Sequence, residues 1–131
     1  MTVKTSLEAG LAAIQAHAVF LDRRSNNATV VFYSDQKPVD VTVLADESAK
    51  LVTCTLPKPC FKSIGDNYIE LHQTDAATVL NAGIALWARV YNGEGIAYAD
   101  LEVGSSITLA NPDLALGSTL MINSFKIRPN V

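Results

Sequence analysis

The side chains able to do chemistry in this 131-residue chain are few and widely spaced. His17 and His72 have no second histidine, cysteine or carboxylate at metal-ligand spacing, and no H-E-x-x-H stretch occurs. Cys54 and Cys60 bracket Thr-Leu-Pro-Lys-Pro, a spacing that suits neither C-x-x-C redox chemistry nor a zinc ribbon. Two readings of the pair stand. They are separate thiols, one facing inward from its strand, or a disulfide between Cys54 and Cys60 that closes the Pro-stiffened loop in a protein ending on a particle exposed to air. A Gly-rich phosphate loop, a G-x-S-x-G elbow and a dinucleotide fingerprint are all missing. The carboxylates of Asp35, Asp40, Asp46, Glu47, Asp66 and Asp100 fall at turns or outward strand positions. Neither Asp46-Glu47 nor Gly65-Asp66-Asn67 belongs to an EF-hand or to a repeated Asp pattern that would hold calcium. The sequence therefore predicts no catalytic residue, no metal and no cofactor.

Recognition chemistry is concentrated in one stretch, ALWARVYNGEGIAYADLEV, residues 85–103. Asn92-Gly93 predicts a type I′ turn, so the flanking runs pair as a hairpin with Arg89 opposite Ile96 and Trp87 opposite Tyr98. A four-residue turn keeps every residue on its face, whereas a three-residue turn breaks the assignment. One face then carries Ile84, Leu86, Ala88, Val90, Ala97, Ala99 and Leu101, small and apolar enough to join a core. The other carries Trp87, Arg89, Tyr91, Ile96 and Tyr98, with Glu94, Asp100 and Glu102 along its margin. Trp, Tyr and Arg dominate buried interface hot spots because each offers a large contact area with a polar handle. Arg89 is also placed to lie over Trp87 or Tyr98 as a cation–π pair. Three uses of this face remain open: a contact surface for another subunit, a surface covered by the chain's own helix or a loop, and a platform on which sugar rings stack.

The elements that must position these residues follow from periodicity. Thr5-Ser6-Leu7-Glu8 reads as a capping box, and Leu7, Leu11, Ile14, Ala18 and Leu21 then share one face of an amphipathic helix from about Ser6 to Phe20. From Ala28 onward, β-branched and aromatic bursts alternate with Pro, Gly, Asn and Asp clusters. The strands expected are 28–34, 39–45, 51–56, 67–72, 83–91, 95–103, 106–110 and 118–127, while 74–83 reads equally as a short helical turn or a loop. The fold class expected is mainly β: an antiparallel β-sandwich of jelly-roll type with about eight strands and one N-terminal helix. A chain of this length makes one domain, 1–131, with a helical segment at 1–22 and the sandwich at 28–128.

Composition narrows the class of partner. The net charge of -3 comes with no basic stripe, which argues against nucleic acid. No run is long enough to span a membrane, and the N-terminus lacks a secretory leader, so the chain is expected to stay in the cytoplasm where it is made or to leave inside an assembly. Hydrophobic residues make up 49% and charged residues only 18%, an apolar balance that leaves surface for a partner.

In its order of features the chain resembles a group of small proteins encoded in the structural gene clusters of tailed bacteriophages and prophages. The likeness rests on a W-x-R strand (Trp87, Arg89), an N-G turn (Asn92, Gly93), a D-x-x-V-G exit (Asp100 to Gly104), a short strand (Ile107 to Asn111) and a closing strand (Ile122 to Ile127). It is most specific in the last fifty or so residues, and the short VGSSITL segment and the cysteine pair depart from it. The resemblance implies a non-enzymatic virion component made in the bacterial host cytoplasm. A head decoration or cement protein is the first expectation, and a neck, collar or tail piece is the alternative. It also implies a symmetric oligomer whose partners are itself and other virion proteins such as the major capsid protein. The interface would be Trp87, Arg89, Tyr91, Ile96 and Tyr98, with the N-terminal segment as a second docking candidate. The rival of another class is a carbohydrate-binding sandwich that stacks Trp87, Tyr91 and Tyr98 on sugar rings.

Overall fold

Ser6 opens the N-terminal α-helix: its side chain accepts a hydrogen bond from the Ala9 amide at 3.2 Å, and α1 runs Leu7–Leu21. The cap is thus Ser6 and not Thr5. Gly10, Ile14, Ala18 and Leu21 form the buried stripe of α1, while Leu7 at its start is exposed. The Asp22 carboxylate closes the far end by accepting the Cys60 amide, which ties the helix to the strand after it. Arg24 then reverses the chain in the left-handed region, φ 71°, an uncommon conformation for a side-chain-bearing residue.

The computed structural model describes residues 5–129, so the part of the N-terminal docking candidate that precedes Thr5 lies outside them. Eleven strands follow α1 among the described residues: β1 Thr29–Tyr33, β2 Lys50–Thr55, β3 Phe61–Ile64, β4 Ile69–Leu71, β5 Ala77–Thr78, β6 Gly83–Ile84, β7 Trp87–Tyr91, β8 Ala97–Glu102, β9 Asp113–Leu114, β10 Thr119–Leu120 and β11 Phe125–Ile127. All the pairings between them are antiparallel. The largest sheet has the order β2-β1-β7-β8, a second has β11-β4-β3, and two small ribbons pair β10 with β5 and β6 with β9. The chain is therefore mainly β with one N-terminal helix.

Two expected strands are absent. Residues 39–45, with valines at 39, 41 and 43, make turns and coil, because Asp40 accepts both the amide and the hydroxyl of Thr42 and bends the backbone locally. Residues 106–110 contribute only an isolated bridge, Val103 to Ile107. In the reverse direction, β3, β5 and β9 arise where no strand was expected. β5 and β9 are two-residue segments that find partners only at a distance in the chain, β10 and β6, whereas β3 pairs with the next strand, β4.

Strand alternation sorts β1 onto two faces. Val30 and Phe32 point into the main core with Ile14, Ala18 and Leu21 of α1, Val52 and Cys54 of β2, Ile69 and Leu71 of β4, and Ala88 and Val90 of β7. Val31 and Tyr33 point the other way, into a second cluster with Trp87 and Ala49. Ile84 and Leu86, expected in the core, are about half exposed, because β7 begins only at Trp87.

The disulfide reading is not what the structure holds: Cys54 and Cys60 are free, buried thiols. The Cys60 thiol lies 3.6 Å from the Ala18 carbonyl, and that of Cys54 lies 3.8 Å from Leu120. Burial pushes their pKa values up from 9.0, to about 11 for Cys54 and about 12 for Cys60, and it moves Tyr98 from 10.0 to about 12. All three groups are bound neutral in the folded state but ionise in the unfolded chain above their ordinary values. Their contribution is therefore full below pH 9.0 and is lost as pH rises toward about 12. Urea midpoints are expected to fall across that window, and a midpoint that stays level from pH 9.0 to about 11 contradicts the burial of these groups.

Candidate functional site

The hairpin turn differs from the expected one. The Asn92 amide donates to the Ile96 carbonyl at 2.9 Å and the Gly95 amide to the Asn92 carbonyl at 3.0 Å, so the loop is the three residues Gly93, Glu94 and Gly95. Gly95 takes the positive φ, 82°, that this turn requires at its last position. The Asn92 side chain holds the loop, since its Oδ1 accepts the amides of Glu94 and Ile96, each at 2.9 Å. Gly93 serves another purpose: a Cβ there would sit 2.2 Å from the backbone oxygens of both Arg23 and Asn26. The segment that leaves α1 thus packs directly on the hairpin tip.

Register then departs from the two-residue expectation. Tyr91 pairs with Ala97 but Val90 with Ala99, so Tyr98 is the extra residue of a β-bulge. The bulge takes Tyr98 out of the Trp87 face. Its hydroxyl meets His17 Nδ1 at 2.8 Å, and its ring packs edge-on against His17 and beside Phe20 of α1. Beyond the bulge the expected alternation returns, with Arg89 opposite Asp100 and Trp87 opposite Glu102.

Trp87 and Arg89 share the outer face of the large sheet, and both are covered by their own chain. Trp87 is 1% exposed and stacks on Tyr33, with ring centroids 4.5 Å apart and planes inclined by 19°. Its indole N–H donates to Asp35 Oδ1 at 2.9 Å. The Arg89 guanidinium lies 5.2 Å from the Trp87 ring centroid, as the sequence led one to expect. It also grips Asp100 as a two-pronged fork, Nε to Oδ1 at 2.6 Å and Nη2 to Oδ2 at 3.1 Å, with side-chain exposures of only 3% and 4%. This paired carboxylate raises the guanidinium's pKa still further, so the charge is permanent.

Two further guanidinium protons hold the segment 35–46, which crosses this face as a strap. Arg89 Nη1 donates to the Val43 carbonyl at 2.7 Å and Nη2 to the Asp40 carbonyl at 3.3 Å. Side-chain turns pin the strap at two points, Asp40 to Thr42 and Asp46 to Ser48, and these hydrogen bonds hold both carboxyls below the usual carboxylate range. Asp46 also caps the one-turn helix Glu47–Ala49, whose Ala49 packs in the second cluster. Ala45 of the strap packs on the second cluster, whereas two of its apolar side chains point to solvent: Val39 is 91% exposed and Leu44 92%.

Of the five residues expected at an interface, Trp87 and Arg89 are buried within the chain, and Tyr98 is partly exposed but turned toward α1; Tyr91, partly exposed, and Ile96, exposed, keep accessible surface. The idea that this face is left bare for a partner is corrected accordingly: the strap covers it, held by Arg89, which pairs its charge with Asp100 and donates to the strap carbonyls. Tyr33, Asp35 and Val43 were missed. Tyr33 was within reach of sequence reasoning, since it lies two residues from Val31 on the face away from Phe32.

Beside the strap the outer face opens into a groove of about 400 Å³. Thr29, Val31, Thr53 and Tyr91 line it as cross-strand neighbours, Asn26, Asn27 and Gly95 border one end, and Glu47 and Lys50 border the other. The Tyr33 hydroxyl lies 3.1 Å from that of Tyr91 and steadies its ring, and burial raises the Tyr33 pKa so that it stays protonated. Among the described residues no group of three or more His, Cys, Asp or Glu side chains is placed to hold a metal ion, and no helix is long and apolar enough to cross a membrane. Comparison of the chain with protein-family models, with curated proteins and with solved structures finds no match.

Proposed function

We propose that this protein is a non-enzymatic structural subunit of a tailed-phage particle, a head decoration protein in the first instance, that docks on itself and on capsid neighbours through the strap. In this reading the large sheet and the β11-β4-β3 sheet form the two layers of a jelly-roll sandwich, and the strap is its outward contact. The observation that carries the proposal is the pairing of opposites in one segment. The strap backbone is clamped from below by a buried arginine, while Val39 and Leu44 are held almost fully in water. Exposed apolar side chains on a pre-ordered segment lose little conformational freedom on binding, and burying each is worth about 1.5–3 kcal/mol. The phage assignment itself rests on the resemblance of residues 85–127.

Sedimentation velocity on the full chain tests this. The unmodified protein is expected to self-associate at tens of micromolar or to co-sediment with capsid particles, and Val39→Asp/Leu44→Asp to remain monomeric and unbound with an unchanged circular dichroism spectrum. A double variant that assembles like the parent would sink the strap as the docking element.

A further inference from the structure

The groove beside the strap has the chemistry of a neutral ligand site, and we infer that it binds a single pyranose sugar ring. Three observations converge. The first is charge: among the described residues the ions on its lining, Lys50 and Glu47, pair with each other at 2.8 Å, so neither an anion nor a cation finds an uncompensated partner there. The second is donor type. Thr29, Thr53 and Tyr91 supply hydroxyls and Asn26 and Asn27 supply amides, groups that both give and accept hydrogen bonds, as a ring bearing several hydroxyls demands. Asn27 uses its Nδ2 on the Leu56 carbonyl and keeps its Oδ1 as an acceptor.

The third is the make-up of the floor, which is sheet: Val31 gives it an apolar centre, and the partly exposed Tyr91 beside Thr29 adds an aromatic side chain of the kind that packs on the C–H face of a sugar. At about 400 Å³ the groove falls within the range of small-ligand sites and is too small for a long chain. Its parts are also pre-positioned: Tyr91 is steadied by Tyr33, and Gly95 is set by the Asn92-held turn. The Asn92 Nδ2 lies buried behind this end with no partner among the described residues. This inference is independent of assembly, because every lining residue belongs to one chain.

Amide-resolved NMR titration of the full-length protein decides it, with glucose, galactose and N-acetylglucosamine as probes, glycerol as a polyol without a ring and sodium phosphate as an anion. At least one sugar is expected to give saturable shifts centred on Thr29, Thr53, Tyr91 and Gly95 with an affinity of roughly 1 mM, while glycerol and phosphate give none. Thr53→Val, which keeps shape and removes one hydroxyl, should weaken binding roughly tenfold. If that variant misfolds by its spectrum, Thr29→Val takes its place. Absence of saturable shifts with all three sugars, equal shifts with glycerol or phosphate, or full binding by the threonine variant would overturn the inference. Because the readout is on monomer amides, its failure leaves the sedimentation test of the strap untouched, and the reverse holds too.

Discussion

Trp87→Ala is expected to lower the stability of the fold by about 3–5 kcal/mol, a large share of the about 5–15 kcal/mol typical of a domain this size. The indole is buried between Tyr33 and the Arg89 guanidinium, so truncation leaves a void that two stiff strands cannot close. It also removes the Asp35 contact that starts the strap. Trp87→Phe keeps a ring against Tyr33 and should cost less. Urea unfolding followed by far-UV circular dichroism measures both, since Trp87 is the sole tryptophan and its own fluorescence vanishes with it. In the parent, that fluorescence should be blue-shifted and protected from acrylamide. A Trp87→Ala protein within about 1 kcal/mol of the parent, or a readily quenched indole, would mean that the strap does not cover this face. The consequence for function is direct: a Trp87 substitution changes stability and the strap's anchoring together, and strap variants are the ones that separate folding from assembly.

Arg89→Met is expected to cost about 3–5 kcal/mol for a different reason. The methionine fills much of the volume, but Asp100 is left buried with no counter-charge and the Asp40 and Val43 carbonyls lose their donors. Arg89→Met/Asp100→Leu removes the orphaned charge as well and should recover part of the loss, because an apolar pair can replace a buried ion pair with little penalty. It should not recover the strap. Amide exchange at residues 40–44 is therefore expected to stay fast in the double variant while global stability rises. A cycle with no coupling between positions 89 and 100 contradicts the fork geometry, and strap amides that remain protected contradict the arginine's second role.

How far the sequence carries varies from residue to residue along this one hairpin. Alternation of Trp87 and Arg89 with Ala88 and Val90 was legible, because successive side chains on a strand must point to opposite faces, and with it came the guanidinium over the indole. Tyr98 obeys the same alternation in the sequence and breaks it in the structure. A single bulge, placed where the three-residue loop and the rest of the ladder disagree by one position, moved it to the helix. The strap shows the opposite failure: Val39, Val41 and Val43 alternate as a strand should, yet no neighbour pairs with them and Asp40 and Asp46 turn the chain locally.

From the residues alone came the β-rich class, the N-terminal helix and the faces of β7, all of them set by interactions within a few positions along the chain, whereas the strand bounds came only in part: 83–91 and 118–127 each break in two. Which strand lies beside which, that Asp100 faces Arg89, that Tyr33 lies under Trp87 and that residues 35–46 close over them were decided only in three dimensions. The physical reason is that a side chain's face follows from local backbone period, whereas its partner follows from register between distant segments. One inserted residue, or one buried charge in need of a carbonyl, is enough to choose among registers that local preference leaves equal.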